Sequence, residues 1–324
     1  MRKIVLIGSG AIATAIGDVL AGKNKDEVCL LSIEDEVIEM INTLHVNSTY
    51  FPKIKLKENL KATADKNVLS SADVIFIAVP STAVMDYFKE NKKYINPDAL
   101  IVNLSKGFGN DGQIIPDSIK PLISNKLMTL KGPSFAREII ERQDTGLTAA
   151  SDDDSLYAII KDVFDGTRIR TDFTNDVTGV EYASILKNIY AIVIGIVDAH
   201  FDSANLRSIF ITMALNEMRR LMTTFGGENQ TMYKYCGFGD FSLTALNDMS
   251  RNRTLGLLIG KGFYNDSIGQ DMVLEGRIAV DIFYKKIIDN QMNINEFPLM
   301  NELYHVLNDK RYPTRNFIKN ILKN

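Results

Sequence analysis

Residues 1–20 of this 324-residue chain read MRKIVLIGSGAIATAIGDVL: a short apolar run, a glycine pair, then small and apolar residues at helical spacing. This order decides the fold, because a buried strand that ends in G-x-G and opens a helix is how a dinucleotide-binding unit begins. Ile4 to Ile7 form the strand. Gly8 makes the tight turn, Gly10 lets a pyrophosphate approach the backbone at the helix N-terminus, and Ala13 permits close helix packing, with Ser9, Ala11 and Ile12 completing the loop. A second apolar run, Glu27 to Leu31, predicts the next strand and ends near Glu34. An acidic side chain there accepts the ribose hydroxyls of NAD, and no arginine stands beside it to pair with a 2′-phosphate. The pattern favours NAD and leaves NADP open.

Further along, Val74 to Val79, Leu100 to Leu104 and Leu127 to Leu130 predict buried strands. They end in Pro80-Ser81, Ser105-Lys106-Gly107 and Gly132-Pro133-Ser134. Ligands of open parallel sheets bind outside the carboxyl ends of the strands, so Pro80, Lys106 and Ser134 are candidates to face cofactor and substrate. Short strands near Gly146 to Ala149 and Arg168 to Arg170 complete the sheet. After Asp176 the pattern turns to long helical periods, as in TALNDMSRNRTLGLLIGKG (residues 244–262) and GRIAVDIFYKKIID (residues 276–289). The expected fold class is α/β: an N-terminal Rossmann domain with a parallel or mixed sheet over residues 1–178, then an all-helical domain over residues 179–324. The boundary falls between Phe173 and Gly179.

Composition narrows the function. At 45% hydrophobic and 24% charged residues the chain is globular, and its net charge of −3 suggests neither a nucleic-acid nor a membrane-surface partner. Two cysteines, Cys29 and Cys236, make no disulfide framework and have no metal-ligand spacing to a histidine, so no metal is expected and a cytoplasmic location fits. The chain begins directly with a strand, which predicts no signal peptide.

The segment GVEYASILKNIYAIVIGIVDAH (residues 179–200) sets Lys187 and Asn188 inside a run, Tyr182 to Val197, that is otherwise almost wholly apolar. The run is read as too short and too polar at its centre to span a bilayer. A buried ammonium costs several kcal/mol, roughly, unless a polar or anionic partner offsets it, so Lys187 is either a working group or a lysine that snorkels to solvent. Gly237-Phe238-Gly239-Asp240 reads as a flexible turn that presents one carboxylate, able to hold Lys187 or a substrate hydroxyl, or merely structural. Ser250 can cap a helix running to Gly260. With Arg251 at that N-terminus the backbone N–H groups and a guanidinium make a phosphate site, the alternative being a capped surface helix with two solvated arginines. His45, His200 and His305 lie outside these motifs, which disfavours a histidine-aspartate acid-base pair. A lysine can take that role when burial and a neighbouring cation lower its pKa. Lys187 suits it, with Lys106 as the neighbour and Asp240 to orient it.

With these residues in hand the chain resembles, nearly end to end, the soluble NAD(P)-dependent sn-glycerol-3-phosphate dehydrogenases. The resemblance runs through Gly8-Ser-Gly10, Asn47-Ser-Thr-Tyr50-Phe-Pro52, Ala78-Val-Pro-Ser81, Ser105-Lys106-Gly107 and Gly132-Pro-Ser-Phe-Ala136. It continues through Leu186-Lys187-Asn188, Asn205, Gly237-Phe-Gly-Asp240, Ser250-Arg-Asn-Arg253 and Val273-Leu-Glu275-Gly276. It implies a Rossmann domain, a helical domain, dihydroxyacetone phosphate as the ketone partner, a homodimer, and a place in glycerophospholipid metabolism. It also implies that Lys187 is the proton acceptor and that Lys106, Gly132, Ser134, Asp240, Ser250, Arg251 and Asn252 contact substrate. Ala136, Arg251 and Glu275 then lie at the cofactor. The chain departs from the family's usual pattern at Ala11, Ala13, Tyr182, Ser184 and Ile185, and in the turn Asp198 to Asn205. Other readings are a reductase for a related polyol phosphate, a ketopantoate or 3-hydroxyacid type reductase, and a dinucleotide sensor without turnover.

Overall fold

A computed structural model describes residues 1–263, 274–309 and 312–323 of the chain. It divides into two compact units, Met1–Val177 and Thr178–Asn324.

The first unit is built on eight strands: β1 (Lys3–Ile7), β2 (Glu27–Leu31), β3 (Leu60–Thr63), β4 (Val74–Ile77), β5 (Leu100–Asn103), β6 (Leu127–Lys131), β7 (Thr145–Ala150) and β8 (Ile169–Thr174). Their order in the sheet is β3-β2-β1-β4-β5-β6-β7-β8, parallel throughout except for the antiparallel pair β6–β7, so the sheet is mixed. Central strands such as β4 (VIFI) are apolar at every position because both faces of the sheet are covered. Alternate side chains feed two cores. Ile4, Leu6, Leu30, Phe76 and Val102 pack in one with Ile16 and Leu20 of α1 (Ala11–Ala21), whereas Val5, Ile7, Ile75, Ile77 and Ile101 pack in the other with Val84 and Phe88. The helices α2 (Asp35–Glu39), α3 (Ser81–Asn91), α4 (Ile115–Ile119), α5 (Ala136–Ile140) and α6 (Leu156–Phe164) follow α1 in the connections between strands. Strand β3 has no counterpart among the strands expected from sequence. It is a four-residue edge strand in which only Leu60 and Ala62 are buried, too little apolar periodicity to register. Gly8 is required where it stands: φ is +111°, and a Cβ would lie 2.9 Å from the Ala78 carbonyl oxygen.

The second unit is helical, with no strand among its described residues. Its longest helix, α7 (Val177–His200), has 24 residues and a mean hydropathy of 1.5 over its most apolar window. That is long and apolar enough to cross a membrane, which corrects the reading of this run as too short. The same window is 94% buried inside the protein, the mark of a core helix. Helix α8 (Ala204–Thr224) follows, its N-terminus capped by Ser203, and then α9 (Asp240–Leu246) and α10 (Arg251–Gly260). The helical stretch expected over residues 244–262 consists of α9 and α10, the latter capped by Ser250 and running to Gly260 as its capping motif predicts. Asn247 Oδ1 accepts from the Met249 N–H and Ser250 Oγ from the Arg253 N–H, local bonds that compete with the helix ladder. The helices Leu274–Asp289, Pro298–Asn308 and Phe317–Leu322 complete the unit. Helices α7 and α10 cross with their backbones in contact: a Cβ on Gly195 would lie 2.2 Å from the Arg253 carbonyl oxygen, and one on Gly256 2.1 Å from that of Ile192.

Candidate functional site

In the first unit the glycine turn presents backbone. Gly10 is the N-cap of α1; no side chain caps it and no acidic residue stands in the first turn, so the N–H groups and the positive dipole end offer themselves to an anion. A Cβ on Gly10 would meet nothing nearer than the Tyr50 hydroxyl at 3.9 Å, which leaves the approach open. The turn is braced from behind. Buried Asn47 donates from Nδ2 to the Ser9 carbonyl and to Thr14 Oγ1, both at 2.9 Å. Ser9 Oγ lies 2.7 Å from Ser32 Oγ and donates to Glu34 Oε2 at 3.1 Å, so the Ser9 hydroxyl holds Glu34 at the end of β2. Ala11 and Ile12 pack against the core, and exposed Pro80 is the N-cap of helix Ser81–Asn91. These features fit a dinucleotide: an open anion-binding helix end, with a fixed carboxylate at the ribose position.

At the ends of β5 and β6, Lys106 Nζ donates to the Gly132 carbonyl at 3.2 Å and to Ser134 Oγ at 3.5 Å. Ser134 Oγ itself donates to the Gly132 carbonyl at 2.9 Å. Gly132 leaves no room for a side chain, since a Cβ would stand 2.4 Å from the Gly146 carbonyl oxygen. Ala136 opens the short helix that follows. Beneath lies Lys131, fully buried, with Nζ donating to the carbonyls of Asn103 (3.1 Å) and Ser105. Sequence reasoning passed over Lys131. The available signal was a lysine closing the apolar strand LMTLK.

In the second unit the Lys187 side chain is 8% exposed, which rules out the snorkelling alternative. Its Nζ donates to Asp240 Oδ1 at 2.9 Å and to Thr244 Oγ1 at 2.8 Å, and Thr244 Oγ1 donates to the Asp240 carbonyl at 2.7 Å. Asp240 does not sit in a flexible turn. It opens α9 after a wide helical turn, Tyr235–Gly239, kinked at Gly237, where a Cβ would come within 2.4 Å of the Met232 carbonyl oxygen. Thr244 was missed from sequence, although its i+4 spacing from Asp240 puts both on one helix face. Lys187 Nζ thus bonds to a carboxylate and a hydroxyl; Lys106, the cation expected beside it, belongs to the first unit.

Ser250 caps α10, its Oγ accepting from the Arg253 N–H at 3.3 Å, with Arg251 exposed and no acidic residue in the first turn. Arg253 is no solvated arginine. It pairs with Asp248 and, at 2.8 Å, with Asp198 Oδ2, whose Oδ1 accepts from Arg207 Nε at 2.6 Å. Asn252 reaches toward the next helix, its Oδ1 standing 3.1 Å from where a Gly276 Cβ would be. Glu275 lies in the first turn of that helix; its side chain, like Val273, is outside the described residues. A further buried carboxyl, Glu217, accepts from the Leu299 (2.7 Å) and Met300 (3.1 Å) N–H groups and from the Tyr190 hydroxyl (2.9 Å). Burial pushes it up to about 7 against the pull of those three donors. No cluster of metal-ligating side chains occurs among the described residues.

A Rossmann-type sheet with an open glycine turn, followed by a helical unit with a buried lysine on a carboxylate, defines a nicotinamide-dependent dehydrogenase. Residues 3–157 match the N-terminus, and residues 176–317 the C-terminus, of NAD-dependent glycerol-3-phosphate dehydrogenase. A glycerol-3-phosphate dehydrogenase (NAD(P)+) of Leptospira biflexa serovar Patoc is 35% identical over 319 residues, 96% of this chain and 95% of its own. That of Bacillus subtilis is 33% identical over 306 residues, 91% of this chain and 88% of its own. The crystal structure of glycerol-3-phosphate dehydrogenase from Coxiella burnetii superimposes with a TM-score of 0.90 at 28% identity, covering 100% of this chain and 99% of its own. The chain belongs to the NAD-dependent glycerol-3-phosphate dehydrogenase family.

Proposed function

We propose that the protein interconverts sn-glycerol 3-phosphate and dihydroxyacetone phosphate, with residues 1–178 holding NAD(H) or NADP(H) and residues 179–324 the phosphorylated substrate. The observation that carries this reading is Lys187, buried in a helical core and held by Asp240 and Thr244. The bound nicotinamide supplies or takes up the hydride. In ketone reduction the Lys187 ammonium donates a proton to the carbonyl oxygen as the alcohol forms; in the reverse direction its amine takes the hydroxyl proton. Asp240 and Thr244 fix Nζ for that transfer, so no rotation of a long side chain is needed in the transition state. Ser250, Arg251 and Asn252 at the start of α10 receive the substrate phosphate, as a helix N-terminus with no acidic residue in its first turn and with the Arg251 guanidinium suits a dianion. Lys106, Gly132 and Ser134 complete the substrate contacts. Gly8 to Ile12, Glu34, Pro80, Lys106, Ala136, Arg251 and Glu275 serve the cofactor, and Glu34 favours NADH over NADPH.

The phosphate-ready α10 N-terminus weighs against a ketopantoate or hydroxyacid substrate, which carries no phosphoryl group, and leaves another polyol phosphate as the nearer alternative. A dinucleotide sensor has no use for Lys187, Asp240 and Thr244 assembled together. Family resemblance further supports a cytoplasmic homodimer that supplies glycerol 3-phosphate for phospholipid synthesis. The test is the fall in absorbance as the purified protein reduces dihydroxyacetone phosphate with NADH, then with NADPH, and again with Lys187→Ala. Oxidation that vanishes in the variant supports the reading. No oxidation by the unmutated protein with either cofactor overturns it.

A further inference from the structure

Lys131 is an ammonium with no exposed surface at the end of β6, a strand whose other residues, Leu127 to Leu130, carry no charge. Its Nζ donates to the carbonyls of Asn103 and Ser105, main-chain atoms of the segment that leads into Lys106. Lys106 in turn donates to the carbonyl of Gly132, the residue that follows Lys131. Each lysine at the ends of β5 and β6 therefore holds the backbone next to the other. Other side-chain bonds cover the remaining sides of the segment: Ser105 Oγ donates to the Val79 carbonyl at 2.6 Å, and Asn103 Oδ1 accepts from the Ser105 N–H at 3.0 Å. Neither of these crosses to β6. Ties that do cross between the Lys106 segment and β6 come from the two ammonium groups and from Thr129 Oγ1, which donates to the Asn103 carbonyl at the long distance of 3.4 Å.

We propose that Lys131 is a positioning residue for this site: its buried ammonium clasps the Asn103–Ser105 backbone and so fixes Lys106, and through the Gly132 carbonyl Ser134, where the ketone substrate binds. The inference rests on the proposed function for its kinetic part, and its geometric part stands without it. A lysine is suited to the task because three donors on one flexible stem can reach successive carbonyls that face the same side, where a neutral amide has only two donors on a rigid plane and a shorter reach. An apolar side chain of the same length would leave both carbonyls without those donors. The chain would then shift to recover hydrogen bonds, and Lys106 would move with it.

The experiment compares Lys131→Met, Lys131→Gln and Lys131→Arg in the full-length protein, each checked for folding by thermal denaturation. The first readout is the rate at which Lys106 is acylated by an amine reagent, followed by peptide mapping and referred to exposed Lys161. The second is kcat/KM for dihydroxyacetone phosphate, with ADP-ribose affinity as the control for the glycine turn elsewhere in the same unit. In Lys131→Met, acylation of Lys106 rises several-fold, kcat/KM falls about ten- to hundredfold, and ADP-ribose binds as before. Lys131→Arg restores both readouts toward wild type and Lys131→Gln does not. If the methionine variant fails to fold, the arginine and glutamine variants decide by the same ordering. A folded Lys131→Met or Lys131→Gln protein with wild-type Lys106 labelling overturns the proposal, and so does a fall in ADP-ribose affinity that matches the fall in kcat/KM. Altered labelling in a protein whose wild-type form turns over no ketone counts against the assigned activity and leaves the clasp standing.

Discussion

Replacing Gly195 by alanine tests whether the α7–α10 crossing sets the geometry of catalysis. The new Cβ would stand 2.2 Å from the Arg253 carbonyl oxygen and 2.9 Å from both Gly256 Cα and the Leu257 nitrogen. All three neighbours are backbone atoms, so no rotamer change relieves the contact. To restore an ordinary 3.4 Å separation the two helices must part by about 1.2 Å. Alanine's better helix propensity contributes about 1 kcal/mol in favour of the variant. Overpacking against immovable backbone costs about 1–3 kcal/mol and can exceed that where nothing yields, so the strain wins. A net loss of about 2 kcal/mol lowers the unfolding midpoint by about 4–8 °C for a cooperative unit of this size. The kinetic effect is the larger one. Lys187 lies eight residues before Gly195 on α7, and Ser250 to Asn252 lie at the start of α10, so parting the helices separates the proposed proton donor from the proposed phosphate site. A displacement near 1 Å costs about a hundredfold in kcat/KM. The assay is NADH oxidation at 25 °C, where the variant is still folded, with a thermal melt in parallel. Wild-type kcat/KM, whether or not the midpoint moves, would refute the claim that this crossing fixes the reacting groups.

Asp240→Asn keeps the shape of the side chain and removes the charge facing Lys187 at 2.9 Å, a pair whose side chains are 8% and 1% exposed. It is expected to destabilise the protein by about 3 kcal/mol and to lower kcat about a hundredfold or more; a folded variant with wild-type kcat would remove Asp240 from the mechanism. Thr244→Val deletes only the hydroxyl, and a smaller loss, about tenfold in kcat/KM, should appear in the same assay. The Glu217 carboxyl is raised from 4.5 to about 7, so the native state holds a proton that the unfolded state has lost between those values. Stability from this group is therefore complete below about pH 4.5 and is lost, by about 3 kcal/mol, as pH rises to 7 and beyond. Urea midpoints at pH 5 and pH 8 should fall for the wild type and fall less for Glu217→Gln, and parallel falls would contradict the assignment. Glu34→Gln removes the carboxylate that Ser9 holds at 3.1 Å; it should improve kcat/KM for NADPH relative to NADH by about fivefold or more, read from initial rates with the two cofactors, and an unchanged ratio would exclude Glu34 as the discriminator.

What the sequence displays and what it hides follow one physical division. Strands β1, β2, β4 and β5 are apolar on both faces and stand out as unbroken runs, whereas β3 buries Leu60 and Ala62 alone and passes for loop. The core helix was legible over residues 179–200, and the structure adds only Val177 and Thr178 at its start. Lys187 was conspicuous because a charge in an apolar segment violates a local rule. Thr244 violates none, and only the α9 geometry shows that its hydroxyl joins Asp240 at Nζ. Asp240 itself was visible, yet its flanking glycines suggested a mobile turn, and the close approach of Gly237 to Met232 is a tertiary fact that spacing does not contain. The Ser250 cap of α10 was legible because a serine before a helical period is a local signal, whereas the bond from the Met249 N–H to Asn247 Oδ1 at the end of α9 leaves no mark in the hydrophobic pattern.

The strand order has a consequence for how the first unit comes into being. From β4 onward every strand, β5, β6, β7 and β8, adds beside the one made immediately before it. The sheet therefore grows outward in the direction of synthesis, each open edge serving as the template for the next strand to emerge. Only one pairing must wait: β1 gains its second neighbour when β4 appears, about seventy residues later. Once that loop has closed around β2 and β3, the remaining half of the sheet needs only short-range additions, and the nascent chain carries a single unpaired edge at a time on its growing side. Vectorial assembly of this kind keeps the longest-range strand pairing early, while the ribosome still holds the rest of the chain.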